Sequence, residues 1–153
     1  MLYLVQHAEA TAKAQNPERP LTERGTTDGR QLGAFLARAG VPVDSIYHSG
    51  KLRAQQTADI LSEHLTPGLA PETLAGLAAT DPAGPVTARI GEWHRSVMLV
   101  SHLPLVGGLA GALVAGAEDR PPVAFHPGTA VALERNGEAG WQVAWMVRPE
   151  LLR

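Results

Sequence analysis

Three side chains far apart in the sequence, His7, Arg53 and His102, are of the types that handle an oxyanion. An imidazole can attack phosphorus or carry a proton, and a guanidinium or a second imidazole can donate to developing negative charge. Taken alone, none of them is informative: a histidine after an apolar run is commonly a packed or surface residue, and a helical arginine commonly pairs with a carboxylate such as Asp59 or Glu63. Their placement carries the signal. His7 follows Leu2-Tyr3-Leu4-Val5, Ser49 follows Ser45-Ile46-Tyr47-His48, and His102 follows Val97-Met98-Leu99-Val100, all short runs suited to buried parallel strands. Arg53 falls in the first turn of a predicted helix and His102 just before another. Helix N-termini present free N–H groups and a positive dipole end, so a rim bounded by two of them favours phosphate.

The elements that must position these residues are readable from caps and periodicity. Thr22 is a suitable N-cap for a helix carrying Leu32, Phe35, Leu36 and Ala39 on one face, ended by Gly40 and Pro42. Leu52 to Leu65 places Ala54, Ala58, Leu61 and Leu65 inward before Thr66-Pro67-Gly68 stops it. Between Leu69 and Trp93 the pattern supports only a short strand near Thr73-Leu74 and a helix after Pro85. Pro104 suits the first turn of a helix running to about Val114, because the N–H it lacks is one a helix leaves unpaired there. Ala130 to Leu133 and Trp141 to Val147 read as strands joined through Asn136-Gly137, residues that tolerate positive φ. This alternation predicts a three-layer α/β/α sandwich with a mostly parallel central sheet, finished by an antiparallel hairpin. Ligands of such sheets sit beyond the carboxyl ends of the strands, so the two distant histidines are expected on one rim.

The 153 residues fit one domain spanning 1–153, expected to be a monomer. A formal charge of −2 with dispersed basic residues offers no footprint for nucleic acid or an anionic membrane. The absence of cysteine excludes a disulfide framework, a thiolate metal site and a cysteine nucleophile. Histidines do not occur in close-spaced ligand pairs, so no metal or other cofactor is expected. No apolar stretch is long enough to span a bilayer, and the chain opens into Leu2-Tyr3-Leu4-Val5 without a basic segment or cleavage site, which predicts a cytoplasmic protein.

Four segments, in order, resemble the motifs of one family. Gln6-His7-Ala8-Glu9-Ala10 is similar to its Arg-His-Gly-x-Ala signature, and Arg19-Pro20-Leu21-Thr22 to the segment that follows. Leu52-Arg53-Ala54-Gln55-Gln56-Thr57 resembles its Leu-Arg-Ala-x-Gln-Thr helix, and Val100-Ser101-His102-Leu103-Pro104-Leu105-Val106-Gly107 its Ser-His-x-Pro segment. The likeness, which runs to about Val147, is to the histidine phosphatase superfamily (branch 1) and within it to SixA-type phosphohistidine phosphatases. The resemblance implies a phosphoglycerate-mutase-like fold and a metal-independent phosphatase in which neutral His7 attacks phosphorus in line and is transiently phosphorylated. It further implies that His102 and Arg53 donate to the equatorial oxygens, joined by the backbone N–H of Leu103.

Two departures matter. Gln6 stands where the family has arginine, so a bidentate cationic clamp becomes a neutral amide. That exchange loses about 1–2 kcal/mol, roughly a tenfold effect. Arg19 is the first candidate to restore the charge, ahead of Lys13 and Arg24. Ala8 stands where the family has glycine; if the position needs positive φ, alanine costs about 1 kcal/mol and displaces His7.

Members that act on sugar or serine phosphates carry a glutamate near the third strand, where this chain reads Leu74-Ala75-Gly76-Leu77-Ala78-Ala79-Thr80-Asp81. An alkoxide needs a proton as it leaves, whereas the imidazole of phosphohistidine leaves readily from its protonated form. The missing acid therefore favours a phosphohistidine-bearing signalling or phosphotransfer protein, with phosphate ion as product. The absence of a long lid-forming insertion fits an open site approached by a protein surface. Two alternatives stand beside this: a degenerate member that binds phosphate or phosphoprotein without turnover, and a small-molecule phosphomonoesterase with Asp81 or Glu72 as acid. His48, His64, His94, His126 and the three tryptophans read as packing or surface residues, and Glu9 and Glu18 as solvated carboxylates.

Overall fold

In the computed structural model, which describes residues 1–138 and 140–153, the run Leu2–Gln6 forms β1 and is buried at every position. β4 (Val97–Ser101), equally buried, lies parallel to β1 with Gln6 opposite Ser101. β2 (Ser45–His48) and β3 (Glu72–Thr73) extend the parallel set beyond β4. On the other side, β5 (Ala130–Asn136) pairs antiparallel with β1 and with β6 (Gly140–Val147), giving the order β3-β2-β4-β1-β5-β6. The mostly parallel sheet ending in an antiparallel hairpin is the architecture the alternation predicts.

Successive side chains of a strand face opposite ways, and this divides the core in two. Leu2, Leu4, Val97 and Leu99 pack with residues of α3 (Ala83–Glu92) and α4 (Leu105–Ala110). Tyr3, Val5, Met98 and Val100 pack with α1 (Glu23–Arg38) and α2 (Leu52–Leu65) on the other face. These are the three layers. Each fully buried leucine stabilises by about 2 kcal/mol, so both clusters clamp the two strands whose ends carry the histidines.

Local chemistry then fixes the segment after His7. Thr22 caps α1 by accepting from the Gly25 amide at 3.0 Å, while its own hydroxyl donates to Glu9 Oε1 at 2.7 Å. A Cβ on Gly25 would collide with the Glu9 carbonyl, so glycine here lets the loop lie directly on the helix start.

Several boundaries differ from expectation. α3 starts at Ala83, two residues before Pro85, with Pro82 at its N-cap. Pro104 is the N-cap of α4 and not its first residue, and the helix passes at Gly111–Ala115 into a wider π turn. Gly111, where that turn starts, is closely packed: a Cβ there would lie 2.5 Å from the Ala117 carbonyl oxygen. Ala39 is exposed beyond the last turn of α1, and β5 runs through Asn136 with Gly137 at φ 74°. His64 is half-buried against α1 at Gly33 rather than on the surface, and His94 is exposed just past the end of α3.

Candidate active site

His7 continues the β1 ladder by one residue, its amide donating to the Ser101 carbonyl at 2.9 Å. The Gly128 amide donates to the carbonyls of Gln6 and His7, at 3.1 and 3.0 Å, and the Ala8 amide donates to Thr57 Oγ1 at 3.0 Å. The Thr57 hydroxyl donates in turn to the Arg53 carbonyl at 2.7 Å, which ties the turn after β1 to the first turn of α2. Ala8 has no positive φ, so the alanine in place of glycine leaves the backbone unstrained.

The side chains converge as the strand ends require. His7 Nδ1 lies 2.7 Å from the Ala8 carbonyl oxygen, a contact that places the proton on Nδ1 and leaves Nε2 as the acceptor. Arg53 Nε donates to that Nε2 at 3.3 Å. The ring of His102 lies 5.0 Å from that of His7, tilted by 55°. His102 Nε2 and Ser49 Oγ are 2.6 Å apart, a hydrogen bond in which the tautomer decides the donor. Both rings are buried, His7 at 8% and His102 at 3% exposure.

Burial and neighbouring cations keep both imidazoles neutral. Loss of solvent is the largest influence on His7 and takes it down to about 4; the Ala8 carbonyl opposes this, and the Arg53 and Arg19 charges assist it. Burial also leads for His102, taken down to about 3 with further lowering by His7, Arg53, Lys51 and Arg19. An incoming dianion reverses the electrostatic contributions.

The folded-state values lie below the ordinary histidine value of 6.5, so below that pH the unfolded chain binds more protons. Stability should therefore fall on acidification from about pH 6.5, through about 4 for His7 and about 3 for His102. The His7 contribution is on the order of 3 kcal/mol. Urea unfolding between pH 7 and 4 checks this: the double variant His7→Gln, His102→Gln should flatten the slope, and an unchanged slope would contradict it.

Arg19 and Lys13 join Lys51 and Arg53 around one groove of about 550 Å³ next to the histidines. Arg19 sits at φ 51°, and its Nε donates to the Thr11 carbonyl at 3.1 Å. Arg24 is 4.0 Å from Asp28 and is directed elsewhere. Gln6 is 8% exposed, and its Oε1, like His102 Nδ1, is buried without a hydrogen-bond partner among the described residues. Asp81 accepts from the Ala78 amide at 2.9 Å and lines a different cavity, with Thr80 and Leu105; Glu72 is exposed on edge strand β3. Among the described residues, no group of three His, Asp or Glu could hold a metal ion.

The model of the histidine phosphatase superfamily (branch 1) matches residues 2–82. The chain belongs to that superfamily. Phosphohistidine phosphatase SixA of Escherichia coli (strain K12) is 30% identical to it over 151 residues, covering 94% of this chain and 92% of SixA. A structure of the protein histidine phosphatase SixA complexed with tungstate has a TM-score of 0.87 at 27% identity, covering 99% of both chains. A mycobacterial glucosyl-3-phosphoglycerate phosphatase shares the fold, with TM-score 0.70 at 19% identity, covering 94% of this chain and 96% of that one.

Two contacts at the candidate site, made by Thr57 and Ser49, go beyond what motif reasoning singled out. Thr57 was visible in principle, since it lies one helical turn after Arg53 and shares its face. The pairing of Ser49 with His102 bridges the ends of β2 and β4, and only the sheet order reveals that these strands are neighbours.

Proposed function

We propose that this protein is a metal-independent, cytoplasmic phosphohistidine phosphatase acting through a phospho-His7 intermediate. The observation that carries the reading is the His7 ring: its Nδ1 is tied to the Ala8 carbonyl at 2.7 Å, and its Nε2 faces Arg53 at 3.3 Å, beside the second ring. The Nε2 lone pair attacks phosphorus, the P–N bond to the substrate imidazole breaks, and the protonated imidazole leaves neutral. Water then attacks the phosphorus of phospho-His7, the second P–N bond breaks, and inorganic phosphate departs as the ring regains its lone pair. Arg53 shifts from Nε2 to the phosphoryl oxygens as they arrive, and Arg19 adds positive charge from the rim. His102 and the Leu103 amide donate to the same oxygens. The similar SixA structure is complexed with tungstate, a tetrahedral oxyanion, which supports an oxyanion ligand for this chain.

The engagement of Asp81 with the Ala78 amide favours an N-linked substrate, because the one ionisable residue of that stretch is occupied by the backbone. The direct test is a histidine-phosphorylated phosphotransfer domain labelled with radioactive phosphate. Transfer of an acid-labile, alkali-stable label to the protein, followed by phosphate release, is expected; binding without label or release would select the non-catalytic reading.

Gln6 weakens the phosphate grip. Gln6→Arg should tighten phosphate or vanadate about tenfold by restoring a charge-assisted contact. Without anion it should lower Tm, because the new cation joins Arg53 and Arg19 in a buried setting. Titration calorimetry and melting curves with and without vanadate read both effects, and weaker anion binding would mean that Arg19 already fills the place.

A further inference from the structure

Two unlike grooves flank the histidine rim from opposite faces of the sheet. On the α2 face lies the groove of Lys13, Arg19, Lys51 and Arg53, with Glu18 its one carboxylate. On the α4 face the chain leaves His102 and enters an apolar groove. Its walls include Leu103, Pro121, Val123 and Phe125, and Gly107 and Gly108 form its floor. Leu103 is 45% exposed although its neighbour His102 is buried.

The floor glycines are not demanded by the fold. Neither has positive φ, and a Cβ on Gly107 would meet only Leu103 Cδ2 at 3.5 Å and Pro121 Cβ at 3.6 Å. On Gly108 the nearest atoms would belong to Glu118, at 3.8 Å. These are ordinary contacts, whereas glycine in a helix costs about 1 kcal/mol relative to alanine. α4 thus forgoes helix stability at two positions that keep the groove open beside the rim.

We propose that these grooves are the docking surface for the substrate protein, which presents its phosphohistidine between an apolar side chain and one or more carboxylates. The apolar side chain enters over Gly107 and Gly108, and the carboxylates meet Lys13, Arg19 and Lys51. The inference rests on the phosphohistidine phosphatase reading, which puts the phosphoryl group between the two grooves. Apolar burial supplies affinity and the charged edge supplies orientation, so the two sides discriminate partners by different physics.

Two peptides carrying a stable phosphoryl-triazole analogue of phosphohistidine test this by calorimetry. One has leucines on one side and aspartates on the other; the second has serines throughout. The first should bind about tenfold more tightly, with Val123→Asp removing the leucine contribution and Lys13→Glu the aspartate contribution. Ala124→Glu, at an exposed position of the same wall, should match Val123→Asp without disturbing the core. The Val123→Asp and Ala124→Glu variants should hydrolyse free phosphohistidine as the parent does. Equal affinity for the two peptides, or a preference that survives these substitutions, overturns the docking surface. A parent protein that leaves free phosphohistidine intact overturns the phosphatase reading instead, while the peptide comparison still decides docking.

Discussion

Replacing His7 by alanine is expected to abolish the acid-labile phosphoenzyme and to slow phosphate release by at least about 10⁴-fold. The effect is large because no other group offers an equivalent lone pair: His102 Nε2 is engaged by Ser49 Oγ at 2.6 Å, and its Nδ1 is buried. Anion binding should survive, since Arg53 and Arg19 remain, so vanadate affinity should change much less than turnover. Single-turnover assays with a labelled phosphohistidine domain would measure this, and a His7→Ala protein that keeps more than about one per cent of the rate would remove His7 from the nucleophile's role.

Arg53→Ala should cost about 10²- to 10³-fold in kcat/KM, the usual scale for removing a donor to transition-state charge. Lysine should rescue little, because a point charge cannot reproduce the planar fork of the guanidinium. The substitution also carries a signature that simple loss of packing lacks. The Arg53 charge helps hold both imidazoles below their ordinary range, so its removal should move the acid limb of the rate profile to higher pH. A profile that falls uniformly without moving would make Arg53 a structural residue.

The strand ends and helix starts were legible because they rest on local rules: Thr22 caps α1, and the uninterrupted apolar runs became the two central strands. The predicted convergence of His7, Arg53 and His102 followed from placing residues at the carboxyl ends of parallel strands. What escaped depends on packing that apolar spacing does not record. The π turn at Gly111–Ala115 begins where Gly111 lies close to the Ala117 carbonyl, and the register shift falls between Ala132 and Leu133 where β5 pairs with β6. The burial of the Gln6 amide without a partner for Oε1 likewise arises only once β1 is enclosed between β4 and β5. No pattern within the first ten residues encodes that enclosure.

The alignment of Gln6 with Ser101, extended by the bond from the His7 amide to the Ser101 carbonyl, has a kinetic meaning. A slip of one residue there would turn His7 to the opposite face, and joining these strands requires closing a long loop, which is slow. Recovery of turnover during refolding is therefore a clock for the pairing of β1 with β4 at the candidate site. A fragment ending near Pro82 lacks that pairing however well its own helices form.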